Sequence, residues 1–455
     1  MNIIIVGCGK VGEKLTALLS SEGHNVTIID SNANLVENIV NEYDVQGLCD
    51  NGASAEVLGE AGCSQCHMFI AVTGSDELNI MCCLFAKKLG AKYTIARVRR
   101  PEYFTQSAFM RDQLGIGLII NPDFEAADEI ARIIEFPAAT KIETFSKGRI
   151  ELAEIIVSKE SSLVGVMLCD LRKTFNTPML ICAVQRGEEV IIPSGNFVIE
   201  AGDKIHFTAS KLALPKVFKT LGMDNKKIRS VLIIGGSRTS YYLARHLLKS
   251  GLKVKIIENN ATRAAKLEAE LEGATIICGD GTDSELLKEE GIRGYDATVA
   301  LTDIDEENII FSAFAARNGV DKTVCKINRQ VLIEMLPSFL EECSVISPNS
   351  VVADIILRYV RSINNAEGND INKLYRIIEE KAEALEFIAN KNCKLLNLCL
   401  KDCTLKPNVI VACICRRGKV IIPDGFTAVE EGDSVIVITA GQTITNLNDI
   451  LDSKE

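Results

Sequence analysis

Apolar positions in this chain fall in short unbroken runs, and the stretches between them carry helical spacing. Asn2 to Val6 is the first run, rich in β-branched side chains. A helical pattern follows to about Ser21, stops at Gly23 and gives way to the run Val26–Ile29. Val45–Leu48, Met68–Val72 and Thr94–Val98 read as further strands, and Asn79–Leu89 as a helix closed by Gly90. Continuous apolar strands alternating with helices predict an α/β fold, a doubly wound parallel sheet of Rossmann-like type covered on both faces.

The whole pattern is written twice, across residues 1–226 and 227–455. Val6-Gly7 opens one half and Ile234-Gly235 the other; Gly62, Thr73, Asp76, Asn79, Gly90 and Arg100 are answered by Gly291, Thr302, Asp305, Asn308, Gly319 and Arg329. Later in each half, Val190-Ile-Ile-Pro193 with Gly195, Glu200, Gly202 and Asp203 matches Val420-Ile-Ile-Pro423 with Gly425, Glu430, Gly432 and Asp433. Two copies of a two-domain unit are fused. The expected domains are Rossmann-like at 1–122 and 228–348, each followed by a small α+β domain at 140–223 and 368–452. The Gly-Asp segments of the small domains read as structural turns between short strands. Asp123–Phe136 and Ser350–Ile363 read as helical links able to pass between protomers, and the Asn-rich stretch 363–372 as a flexible one.

Composition narrows the class. The chain has 455 residues, 47% of them hydrophobic and 24% charged, room for about three or four domains with their own cores. The net charge of −11 argues against nucleic acid or an anionic lipid surface as the main partner. No apolar run reaches the ~18 residues of a membrane span, and the N-terminus reads directly as a strand rather than a signal peptide. The sixteen cysteines sit within apolar runs, where a reduced thiol behaves as a small hydrophobe, so a cytosolic compartment is expected.

Gly7-Cys8-Gly9-Lys10-Val11-Gly12 follows the first strand at once, and Asp30 ends the second. This is a dinucleotide fingerprint in its required setting of strand, glycine turn, helix, strand and acid. Gly7 permits the tight turn, Gly9 the approach of a pyrophosphate, and Gly12 the packing of helix on strand. The helix N-terminus offers amides and the positive end of its dipole to phosphates. Asp30 suits ribose hydroxyls and repels a 2′-phosphate, which favours NAD(H). Ligands bind such sheets at the carboxyl ends of the strands, so Asp50-Asn51, Thr73-Gly74 and Arg97 are also expected at the site. Arg97 either meets a phosphate or pairs with an acid.

The second copy is altered in the turn. It reads Gly235-Gly236-Ser237-Arg238-Thr239-Ser240, with Glu258 in the place of Asp30 and Lys326 in the place of Arg97. Ser237 puts a side chain where a pyrophosphate needs close backbone approach. Arg238 and Thr239 could hold the phosphates of a mononucleotide such as ATP or ADP; the alternative is a fold that has lost its ligand. Gly235, Glu258, Asp280 and Thr302 are the candidate contacts there.

These residues together resemble the potassium-conductance regulator (RCK or KTN) family, in the tandem form of TrkA-type regulatory subunits. The likeness rests on Gly7–Gly12 with Asp30; on Thr73 with Asp76, Glu77 and Asn79; on Ala96 to Tyr103; on Asn121-Pro122; and on the two Val-Ile-Ile-Pro segments. It covers nearly the whole chain. It implies an NAD(H)-binding cytoplasmic subunit, peripheral to the inner face of the membrane, that regulates a TrkH-type potassium-translocating protein. It also implies TrkA-C domains that dimerise or bind an effector, and a homo-oligomer, dimer or tetramer. By that likeness Gly7 to Gly12, Asp30, Thr73, Gly74 and Arg97 are the cofactor contacts. A Ktr-type or cyclic-dinucleotide-sensing regulator is the alternative.

Two other chemistries were weighed. Cys63-Ser64-Gln65-Cys66-His67 matches a haem-attachment pattern, but the second copy has Ile292, Tyr295 and Asp296 there, and four-ligand closure for zinc is not evident. A dehydrogenase needs a proton-transfer group beside the nicotinamide. None of the four histidines (His24, His67, His206, His246) falls at a strand's carboxyl end, so regulatory binding is expected rather than catalysis.

Overall fold

Asn2–Val6 (β1) is buried on both faces because helices cover both sides of its sheet, which is why its apolar run is unbroken. It pairs in parallel with β2 (Asn25–Asp30) and with β4 (Met68–Ala71). β3 (Gln46–Cys49), β5 (Tyr93–Arg97) and β6 (Leu118–Ile120) complete a six-stranded sheet of order β3-β2-β1-β4-β5-β6. The reversal of strand order between β1 and β4 opens the cleft described below. The structure, a computed structural model, describes residues 1–146, 149–175, 178–221, 227–335, 343–366, 371–377, 381–442, 444 and 446–452.

The duplication is structural. β12 (Ser230–Ile234), β13 (Lys253–Glu258), β14 (Thr275–Cys278), β15 (Ala297–Ala300), β16 (Lys322–Lys326) and β17 (Ser344–Ile346) form a second parallel sheet with the same order. Two five-stranded antiparallel sheets follow the parallel ones. The first holds β7 (Lys141–Phe145), β8 (Ile150–Ile156), β9 (Leu180–Arg186), β10 (Glu189–Ile191) and β11 (Lys204–Ser210). The other holds β18 (Ile371–Ile377), β19 (Ala382–Ile388), β20 (Val409–Arg416), β21 (Lys419–Ile421) and β22 (Ser434–Ala440). Of the Asn-rich link, residues 367–370 lie outside the described residues; the preceding helix runs Pro348–Ala366.

Like elements of the two halves come together in two compact units. One is Met1–Ile134 with Ile228–Leu357, the other Glu135–Lys227 with Arg358–Glu455. In the first unit, the helix Pro122–Glu135 buries Ala126, Ala127, Ile130, Ala131, Ile133 and Ile134 in one core with Val231, Ile233, Leu243 and Leu247 of the second sheet. This link therefore packs against the other half of its own chain. Each of the buried isoleucines, leucines and valines contributes about 1.5–3 kcal/mol by leaving water, so the halves are fastened by a real core. Asn121 Nδ2 donates to Tyr242 Oη at 3.1 Å and Thr239 Oγ1 to Asp123 Oδ1 at 3.0 Å across the same junction.

In the second unit the small domains also pack together, burying Phe145, Leu152 and Cys182 with Ala412, Cys413, Ile436 and Ile438. Thr208 Oγ1 donates to the Ala412 carbonyl at 2.7 Å, and Ser146 Oγ reaches the buried Glu386 carboxylate at 2.9 Å. The repeated Gly-Asp turns are structural, as their pattern suggested, and have a specific partner. Arg186 grips Asp203 through Nε and Nη2, both at 2.7 Å, and Glu200 at 2.7 Å, while its guanidinium lies 4.8 Å over the Phe197 ring.

Burial pushes the Asp203 carboxyl up, but the Arg186 bonds and the Glu200 amide more than offset this, leaving it below the usual carboxylate range. A lowered folded value gives stability that is present above the unfolded range near pH 4 and lost as pH falls through the folded value. In Arg186→Met the buried carboxylate loses its partner and that acid-sensitive stability. The stability gap between parent and variant should then be widest at neutral pH and shrink below about pH 4. Urea unfolding of both proteins across that range checks it; a gap that stays constant with pH refutes it.

Candidate functional site

The first cleft is built by the end of β1. Gly7 turns the chain with φ +105°, donates its amide to Ile29 O at 2.9 Å, and sits so close to β4 that a Cβ would lie 2.8 Å from Thr73 N. The helix Lys10–Ser21 then starts with Gly9 as its N-cap, and no side chain caps it. Its first-turn amides thus face the cleft with the positive end of the helix dipole. Gly12 is packed hard beneath the turn: a Cβ there would lie 1.8 Å from Gly7 O.

The cleft is a cavity of about 840 Å³, and Gly7, Gly9, Lys10, Val11, Asp30, Asn51, Thr73, Gly74 and Arg97 all line it. Cys8 and Gly12 lie behind the lining and shape it. Asp30 is half-buried: Oδ2 accepts from Cys8 N at 2.6 Å and Oδ1 from Asn32 N at 2.9 Å. Cys8 is chemically silent, its thiol pushed up to about 12 by burial and then by the Asp30 charge.

Arg97 bears on the choice between a phosphate and an acid as its partner. Its Nη1 donates to Thr73 O at 3.1 Å, and no described carboxylate lies within ion-pair distance of it. Its buried Nε has no hydrogen-bond partner. Burial and then the Arg99 charge hold the guanidinium below its usual range. A half-buried cation with a buried, unfilled donor, facing a cavity, is suited to an anion.

Thr73 lines the cleft and also braces it. Asn79 Oδ1 accepts from Thr73 N at 2.8 Å and from Thr73 Oγ1 at 2.7 Å, while Asn79 Nδ2 donates to Arg97 O at 2.9 Å. Asp76 likewise accepts the amides of Arg99 and Arg100 at 3.0 and 2.8 Å. Asn308 and Asp305 repeat both roles in the second half. The repeated Thr, Asp and Asn thus latch the ends of the fourth and fifth strands together. Ser75, which accepts from Leu78 N, starts that helix at Asp76, a turn before the Asn79 expected.

Asn349, missed by sequence reasoning, lines this first cavity from the second half of the chain. It sits at the start of the helix Pro348–Ala366, which Lys14 Nζ anchors through Ser350 Oγ at 2.8 Å. Pro348 marks the helix start in the sequence, but no local pattern says which domain that start will face.

The second cleft is much smaller, about 210 Å³, though Gly235, Glu258, Asp280 and Thr302 line it as expected. Glu258 is 2% exposed and turned inward, where it accepts from Gly236 N at 2.5 Å and Asn260 N at 2.7 Å. The longer acid fits because Gly236 stands in the place of Cys8; a Cβ there would lie 2.8 Å from Glu258 Oε2. Ser237 caps the helix Arg238–Lys249 by accepting from Ser240 N, and Ser240 Oγ donates to Gly235 O at 2.5 Å. Side chains thus occupy the groups a phosphate would use. Thr239, expected at a phosphate, is buried against Asp123 instead. Asp280 Oδ1 takes the Thr282 amide and hydroxyl at 2.8 and 2.7 Å, and these bonds lower its carboxyl.

The Cys63-to-His67 motif packs its cysteines into the core. Cys63 and Cys66 are buried, their thiols pushed up to about 11 and about 12 chiefly by burial, and His67 Nδ1 accepts the Asn2 amide at 3.1 Å. Among the described residues no group of His, Cys, Asp or Glu is placed to hold a metal ion, and no helix is long and apolar enough to cross a membrane.

Two Rossmann clefts at strand-order reversals, each followed in sequence by a small antiparallel domain, define the class of tandem RCK-type proteins. TrkA-N domain models match residues 3–122 and 231–348, and TrkA-C domain models match 152–222 and 384–452. The chain belongs to the TrkA family of Trk-system potassium uptake proteins. It is 32% identical to the Trk system potassium uptake protein TrkA homolog of Archaeoglobus fulgidus over 99% of this chain and 100% of that one. It is 31% identical to the Vibrio alginolyticus Trk system potassium uptake protein TrkA, covering 96% and 95% of the two chains. Among solved structures, the GsuK channel bound to NAD matches with a TM-score of 0.63 at 18% identity, over 97% of this chain and 77% of that one, a likeness of fold.

Proposed function

We propose that this chain is the regulatory subunit of a Trk-type potassium uptake system and that NAD(H) bound in its first cleft controls it. The observation that carries this is the contrast between the clefts: about 840 Å³ with an uncapped helix start, against about 210 Å³ with a serine cap and an inward-turned acid. The donor set suits a dinucleotide. The Gly9–Val11 amides face a pyrophosphate, the Arg97 Nε has a partner to gain, and Asp30 keeps a half-exposed carboxylate for ribose hydroxyls. NAD(H) supplies binding energy here rather than hydride chemistry, and among the described residues no histidine lines the cleft.

Because Asn349 belongs to the other half, a ligand in the first cleft binds one arrangement of the paired domains better than another. That differential affinity shifts their equilibrium. The expected partner is a membrane-embedded potassium-translocating subunit of TrkH type, met at the inner face of the membrane by a dimer or tetramer of this chain.

Calorimetric titration with NADH tests this. Asp30→Ala and Asn349→Ala should each weaken NADH at least tenfold, about 1.4 kcal/mol. Glu258→Ala should leave it within a factor of about two. Potassium uptake by cells carrying Asp30→Ala should differ from uptake by cells carrying the parent. Unchanged NADH affinity and unchanged uptake in Asp30→Ala would end this reading.

A further inference from the structure

The second Rossmann half carries a pair of thiols that the first half lacks. Cys325 lies on β16, and Cys343 directly precedes β17, the neighbouring strand. Val324 pairs with Ser344 and Cys325 with Val345. Continuing that register by one residue sets Cys343 across from Thr323, diagonal to Cys325 and on the same face of the sheet. Both cysteines are buried, 0% and 4% exposed, in one small cluster with Ile327. Ala96 and Gly117 stand at the equivalent places of the first half. Neither cysteine lines either of the two clefts described above.

The two thiols are hydrogen-bonded to each other. The Cys325 thiol donates to the Cys343 sulfur, and that bond holds Cys343 below its usual range against the opposing effect of burial. The Thr323 hydroxyl and the Lys322 charge act in the same direction. Cys8, Cys63 and Cys66, by contrast, are pushed up by burial. The thiolate is the form that attacks, so Cys343 is the reactive member and Cys325 the thiol beside it that resolves the product. Backbone spacing adds a consequence. Neighbouring strands lie ~4.8 Å apart and rise ~3.3 Å per residue, so a diagonal pair has its Cα atoms about 8 Å apart. A disulfide needs less than about 7 Å. Closing the bond therefore draws the backbone at Cys343 toward β16. β17 runs on into the helix Pro348–Ala366, whose Asn349 lines the first cleft.

We infer that Cys325 and Cys343 form a reversible dithiol–disulfide pair, oxidised by a small hydroperoxide, that transmits oxidation to the first cleft through β17 and Asn349. The Cys343 thiolate attacks one peroxide oxygen and the O–O bond breaks. The other oxygen leaves as hydroxide, takes up the thiol's proton to become water, and Cys343 is left as a sulfenic acid. The Cys325 sulfur then attacks the Cys343 sulfur. The S–S bond forms, the S–O bond breaks, and the hydroxide leaves with the Cys325 proton as a second water. The two thiols together lose two electrons and the peroxide gains them. A dithiol reductant reverses the change by exchange. The effect on NADH rests on the ligand proposed for the first cleft; the bond itself does not.

The test treats the full-length chain with hydrogen peroxide, blocks the remaining thiols and maps disulfide-linked peptides by mass. Hydrogen exchange over residues 347–351 and NADH titration are measured on the same samples. A peptide pair joined through Cys325 and Cys343 should appear and vanish with dithiothreitol. Exchange at the helix start should be faster in the oxidised protein, and NADH should bind it about fivefold or more weakly. Cys325→Ala places in the second half the residue the first half has there, so it should fold and bind NADH like the parent. It should form no such bond and keep its NADH affinity after peroxide. Absence of the linked peptides overturns the inference, as does exchange over 347–351 that oxidation leaves unchanged. An equal loss of NADH affinity in Cys325→Ala also overturns it, because the sensitive thiol then lies elsewhere. A reduced chain that binds no NADH would remove the ligand proposed for the first cleft, while the linked peptides and the exchange still decide this inference.

Discussion

Replacing Gly12 by alanine should abolish NADH binding and cost the first Rossmann domain about 3 kcal/mol or more. The added methyl would lie 1.8 Å from Gly7 O and 2.9 Å from Gly7 C, and both are backbone atoms with no rotamer to escape into. The helix Lys10–Ser21 would have to move off β1, carrying with it the amides that face the cleft. The second half carries a side chain at the equivalent position. Ser240 stands in that place, its hydroxyl bonded to Gly235 O, and the cleft it belongs to is reduced to about 210 Å³. Alanine lacks even that hydroxyl. Gly9→Ala is the informative control, because a Cβ at Gly9 meets nothing within 4 Å. It should unfold like the parent and still lose NADH affinity, since its methyl points at the approaching pyrophosphate. Thermal unfolding and NADH titration on both variants decide the matter. A Gly12→Ala protein that binds NADH within a few-fold of the parent would show that the turn tolerates a side chain.

The second large effect is expected far from any cleft. Arg416 donates to Asp433 through Nε at 3.0 Å and Nη2 at 2.8 Å, to Glu430 at 2.6 Å and to Ala428 O at 2.6 Å. Asp433 has a side chain only 2% exposed. Arg416→Met keeps the aliphatic stem but leaves that carboxylate buried with its amide bond from Glu430 alone. Removing one partner of a buried pair typically costs 3–5 kcal/mol, and about that loss is expected in the second small domain. Replacing both ends, Arg416→Met with Asp433→Leu, should recover a large part of it, because no charge is then stranded. Urea unfolding of the single and double variants measures both quantities. A single variant within 1 kcal/mol of the parent would mean that water reaches Asp433 readily.

Local chemistry explains which parts of this architecture were legible beforehand. A buried parallel strand must be apolar on both faces, so β1, β2, β4 and β5 stood out to within a residue or two. The first glycine turn was legible because a Cβ at Gly7 or Gly12 would collide with neighbouring backbone in this half. Thr73 and Asn79 were visible as repeated polar positions, but their task of tying two strand ends together emerges only when those ends are adjacent. Glu258 resembled Asp30 in sequence. Its inward turn depends on a single added methylene and on the glycine at position 236 that makes room for it.

The order of elements, the tandem repeat, the family and the first glycine turn were determined by the sequence alone, because each is written in local patterns of residues, the repeat in the recurrence of those patterns. Tertiary structure decided the rest: that the helix Pro122–Glu135 serves the opposite half's core and that Asn349 reaches the first cleft. Those groups are hundreds of residues apart or on different domains. Their meeting is set by which apolar faces bury each other, a choice that no local pattern of residues encodes.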